Sequence, residues 1–185
     1  MDQTVLWIIL AVLVLAAGAG AWFFLQRRRS QRLRARFGPE YERVVQEIGD
    51  QRRAEARLEA REKRLAKLEI RSLSPEDRAR FSDAWSAIQK RFVDSPEESV
   101  SQADRLVRDV MVARGYPMED FEKRAEDISV HYPHVVSNYR AARAIAERSR
   151  QRQANTEELR KAVVYYRDLF EELLETHEPV KARAV

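Results

Sequence analysis

Between Val5 and Leu25 lie 21 residues without a charge, and six arginines follow within ten positions: Arg27, Arg28, Arg29, Arg32, Arg34 and Arg36. At about 1.5 Å per helical residue such a run reaches roughly 30 Å, the thickness of a bilayer's hydrocarbon core. The pairing predicts a single membrane-spanning helix over 5–25. Trp7 stands near one end and Trp22, with Phe23 and Phe24, near the other, where amphipathic rings favour the interface.

Arginine clusters close to a span favour the cytoplasmic side, and the short flank ahead of the run, residues 1–4, carries Asp2 but no Lys or Arg. The expected topology is an inner-membrane protein with its amino terminus outside and its carboxy-terminal body in the cytoplasm. A cleaved signal peptide competes with this reading, because Ala17-Gly18-Ala19 and Ala19-Gly20-Ala21 resemble a small-residue cleavage site, which would release an exported helical protein after Ala21. A signal peptide wants a basic start and a shorter apolar core, whereas here the start is acidic and the basic residues come after the run. Ala16 with Gly20, and Ala17 with Ala21, have the spacing that lets two membrane helices approach closely, so weak homodimerisation through that face is expected.

The chain has 34 basic and 30 acidic residues in 185. Setting aside the six arginines and Asp2 leaves 28 basic and 29 acidic side chains, so residues 37–185 carry a net charge of −1. The basicity belongs to the segment 26–38, which makes anionic lipid headgroups the expected partner and gives no footing for nucleic acid. Cysteine is absent, which removes disulfides, thiolate metal sites and cysteine nucleophiles.

Gly38-Pro39 opens a highly charged stretch, 39–71, with an apolar stripe of Tyr41, Val44, Val45 and Ile48 and a sparser one of Leu58, Leu65 and Leu68. This is weak coiled-coil grammar, and the expectation is a long stalk helix able to pair with a second copy. From 72 to 175 the pattern predicts a compact antiparallel bundle of four to five helices. Ser74-Pro75-Glu76-Asp77 starts a helix with Phe81, Trp85, Ile88 and Phe92 on one face, and Asp94-Ser95-Pro96-Glu97 starts the next, carrying Val100 to Met111 and closing at Gly115. A short helix follows through Phe121, Ala125 and Ile128. Pro133 is expected to open another, with Val135, Val136, Tyr139, Ala142 and Ile145. Asn155 with Glu158 forms a capping-box pattern ahead of Leu159, Val163, Tyr166, Phe170 and Leu173. Residues 176–185 read as a flexible tail. The fold class is all-α.

The stretches RFGPEYERVV (36–45), LSPEDRARFSDAW (73–85), FVDSPEESVSQADRLV (92–107), MVARGYPMEDF (111–121) and HYPHVVSNYRAA (131–142) resemble a set of uncharacterised bacterial proteins with one amino-terminal span. The resemblance implies that membrane layout and assigns no activity, ligand or catalytic residue. In order of parts the chain also looks like single-span helical proteins of the cell envelope or of division.

The clustered histidines, His131 and His134, with Glu119, Asp120 and Asp127 nearby in sequence, are the only weak candidates for a metal, and they lack a third ligand at a known zinc spacing. An enzyme or metal-dependent module would have to be built there. Tyr116, Tyr132, Tyr139, Tyr165 and Tyr166 are read as packing residues rather than a base-stacking platform, since no basic surface accompanies them. Glycine-rich phosphate loops and the Gly-x-Ser-x-Gly turn are missing, so no catalytic residue or cofactor is assigned. The expected function is a non-enzymatic scaffold or protein-interaction module at the inner face of a bacterial membrane.

Overall fold

The computed structural model describes residues 3–174, apart from the side chains of five residues between Thr4 and Ile9. The readings of Asp2 in the outer flank and of 176–185 as a tail fall outside the described residues. All secondary structure among these residues is helical: α1 Gln3–Phe37, α2 Pro39–Ile48, α3 Gln51–Leu65, α4 Pro75–Arg91, α5 Pro96–Arg114, α6 Phe121–His131, α7 Val136–Arg150 and α8 Thr156–Leu174.

The apolar run and the arginine segment form one helix, α1, without a break between them. Its first half is bare, with Leu10, Leu15, Trp22 and Phe23 all more than half exposed. Its second half is not, because Leu33 and Phe37 are fully buried. Gln26, Ser30, Leu33 and Phe37 recur at steps of four, three and four, which brings one face of the helix against the rest of the chain.

The expected stalk is instead two helices folded back on α1. At Gly49 the backbone takes φ 73°, a left-handed turn that costs glycine little, and Asp50 then caps α3 by accepting from the Arg53 amide at 2.8 Å. A rod of this composition would leave its leucines wet. Breaking it at Gly49-Asp50 buries Tyr41, Val44, Ala54, Leu58 and Leu65 in the common core. The leucine face read as a seam for a second copy is therefore occupied within the chain.

Downstream, all five expected helices form. Ser74 accepts from the Asp77 amide at 3.0 Å, whereas Ser95 makes no side-chain cap bond. Asn155 and Glu158 exchange two 2.9 Å bonds, side chain to amide in both directions. Pro133 lies in a turn, and α7 begins only at Val136. Phe81, Trp85 and Ile88 are buried, and the Trp85 and Phe170 rings stack with centroids 4.8 Å apart, joining α4 to α8. At Gly115, φ is 89° and an added Cβ would lie 2.7 Å from the Glu69 carbonyl oxygen. The α3–α4 connection passes that close because the Arg71 amide bonds the Arg114 carbonyl at 2.9 Å.

Candidate membrane-docking site

One face of α1 beyond the apolar run is tied to α3. Arg29 meets Glu59 at 2.7 Å, Arg32 meets Glu62 at 3.2 Å and Arg36 meets Glu62 at 3.0 Å. Arg34 lies 3.7 Å from Glu42. Four of the six arginines expected at lipid headgroups thus face carboxylates of their own chain. Arg27 and Arg28 have no acidic partner among the described residues, and Arg28 instead lies over the Phe24 ring at 4.5 Å. Trp22 also has a neighbour, Arg52 of α3, whose guanidinium stands 5.3 Å from the ring centre.

Deeper in this three-helix unit, the buried Glu55 carboxylate accepts from the Ser30 hydroxyl at 2.6 Å, the Tyr41 hydroxyl at 2.8 Å and the Gln51 amide at 2.9 Å. One acid therefore joins α1, α2 and α3. Burial pushes its pKa up, but these three donors outweigh that and hold it below the ordinary value.

A second buried group fastens the unit to the downstream helices. Glu40, 2% exposed, accepts from Arg61 at 2.8 Å, Arg140 at 2.8 Å and Arg43 at 3.0 Å. Burial again raises the carboxyl and the arginines more than reverse it, bringing its pKa down to about 2. Arg61 continues to Glu126 at 3.1 Å, where Arg57 also arrives at 2.7 Å. On the far side of the bundle, Asp104 receives the Tyr166 hydroxyl at 3.0 Å, Arg108 at 3.1 Å and Arg143 at 3.2 Å. These acids are saturated by cations and hydroxyls. Cations hold the Glu40 and Glu126 carboxyls below the ordinary value, and all three acids tie helices to one another.

The two histidines hold separate partners. His131 Nδ1 lies 2.9 Å from the Tyr116 hydroxyl, while His134 Nε2 lies 2.8 Å from Glu172 in α8. Local desolvation of the His131 ring beside Tyr116 and Tyr132, on a residue that keeps an exposed edge, together with Arg114 and Arg36 lowers its pKa to about 4. Asp127 is turned to Arg64, and Asp120 caps α6. No group of three or more His, Cys, Asp or Glu able to hold a metal occurs among the described residues. An open groove between α4 and α8, lined by Phe92, Val163, Val164, Gln89, Arg160 and Arg167, contains no acid and no histidine.

No protein-family model, curated protein or solved structure matches the chain. One helix among the described residues is long and apolar enough to cross a membrane: α1, whose stretch Leu10–Phe37 contains a window of mean hydropathy 1.6 with none of it buried.

The buried ion network escaped the sequence reading, although a signal for it was present. Ala54, Leu58, Arg61 and Leu65 have core-facing spacing with an arginine among them. A cation on an apolar face calls for a buried acid opposite.

Proposed function

We propose that this protein is a single-pass, membrane-anchored helical scaffold that presents a non-enzymatic, protein-binding body at the cytoplasmic face of a bacterial inner membrane. The observation that carries the reading is the double character of α1, bare and apolar through Phe24 and buried at Leu33 and Phe37. A soluble protein does not leave so long a stripe in water. The arrangement of acids supports a scaffold, since Glu40, Glu55 and Asp104 are all consumed in holding helices together.

Cross-linking in intact membranes followed by co-purification tests the scaffold role, with a stoichiometric protein partner expected. Catalytic turnover of a small molecule by the purified chain would overturn it. Protease shaving of spheroplasts tests the topology: the carboxy-terminal body should be protected, and its digestion would place it outside. Recovery of Trp22 as the mature amino terminus would replace the anchor with an exported protein.

A further inference from the structure

The length of α2 fixes where the α2–α3 turn lies. From Leu25, the last residue of the apolar run, α1 climbs twelve residues to Phe37, about 18 Å, and the ten residues of α2 bring the chain back about 15 Å. Gly49 and Asp50 consequently return to the level of Leu25 and Arg27. Two contacts agree with this: Gln51 Nε2 lies 3.3 Å from the Ser30 hydroxyl, and Arg52 reaches down to the Trp22 ring.

At that level the charges are unbalanced. Arg27, Arg28, Arg52 and Arg53 are all exposed and have no carboxylate partner among the described residues. Against these four cations stand two nearby acids, and one of them, Glu47, is paired outside the cluster. Glu47 meets Arg43 at 2.9 Å and Arg57 at 3.7 Å, and Asp50 accepts from the Arg53 amide. Arg28 and Arg52 lie over Phe24 and Trp22, which places aromatic rings below guanidinium groups as at a membrane interface.

We propose that the α2–α3 turn is a second membrane contact, in which Arg52 and Arg53 join Arg27 and Arg28 in a collar that binds the phosphates of anionic lipids. The inference rests on α1 spanning the bilayer. It assigns the lipid-facing role to a segment some 25 residues beyond the span and shifts it away from Arg29, Arg32 and Arg36, which are ion-paired to Glu59 and Glu62 of α3.

The chain has no cysteine, so single nitroxide labels can be placed on the full-length protein in lipid nanodiscs at Leu15→Cys, Gln46→Cys and Ser101→Cys. Nanodiscs of phosphatidylcholine alone are compared with nanodiscs that also contain phosphatidylglycerol. The Leu15 label should be shielded from an aqueous nickel relaxant in both, and the Ser101 label open to it in both. The Gln46 label, in the last turn of α2, should lose accessibility severalfold when phosphatidylglycerol is present and regain it with Arg52→Glu/Arg53→Glu or high salt. A Gln46 label equally accessible in both lipid mixtures overturns the collar while a shielded Leu15 label leaves the anchor intact. A water-exposed Leu15 label overturns both. The lipid comparison uses the unaltered patch, so it decides the matter even if the double variant folds poorly.

Discussion

Glu40→Gln removes one charge from the centre of the fold and leaves its shape unchanged. The carboxylate is 2% exposed and takes hydrogen bonds from Arg43, Arg61 and Arg140, which belong to three different helices. Its pKa falls from an ordinary 4.5 to about 2, and at about 1.4 kcal/mol per unit that difference corresponds to about 3 kcal/mol of stability at neutral pH. The cost of breaking a buried ion pair, about 3–5 kcal/mol, has the same size. The sign follows from the direction of the shift. The folded state binds this proton less readily than the unfolded chain does, so the contribution is complete above pH 4.5 and drains away as pH falls toward 2. Urea unfolding of the full chain in non-ionic detergent, followed by far-ultraviolet circular dichroism, should show the glutamine variant weaker at pH 7 by about 3 kcal/mol. Its stability should also decline less than the parent's between pH 4.5 and 2.5. A loss below about 1 kcal/mol at pH 7, the scale of an exposed pair, would refute the view that this carboxylate locks the first three helices to the body.

Other substitutions probe other joints. Leu58→Ala should cost about 2–5 kcal/mol in the same unfolding assay, whereas on a free stalk it would cost almost nothing. Gly115→Ala should destabilise by about 2 kcal/mol or more, since it forces a side chain into φ 89° and against the Glu69 carbonyl; an unchanged melting curve would contradict that close approach. Glu59→Arg/Glu62→Arg should speed amide exchange in α3 while α5 and α8 keep their protection, because the lost pairs with Arg29, Arg32 and Arg36 act only on that seam. The His131 ring should stay neutral down to about pH 5 in an NMR titration, and zinc or a chelator should leave the melting temperature unmoved.

The downstream helices were legible because their signals are local. Ser74 before Pro75, the Asn155–Glu158 box and the stripes Phe81-Trp85-Ile88 and Leu159-Tyr166-Phe170-Leu173 each act within a few residues and read directly as caps and buried faces. The stalk misled for the opposite reason. Its leucines are too sparse to bury one another, and what covers them comes from α1, α2 and α6 together, with the α1 core residues Leu33 and Phe37 hidden in a segment dominated by arginine. Glu40 and Arg61 stand 21 positions apart and Glu40 and Arg140 stand 100 apart, so no periodicity could pair them. Only the arginine at a core-spaced position hinted that a buried acid was required. The proposed membrane-docking face is equally non-local, since it depends on the length of α2 returning Arg52 to the level of Trp22.

The unbroken passage of α1 from bare apolar surface to packed interior leaves no swivel between the two. A tethered domain samples every orientation its linker permits, but here the same rod carries both the greasy surface and two residues wedged in the core. In the proposed bilayer setting, tilting the rod would tip the whole body, and a load applied to the body would be felt as torque among the acyl chains.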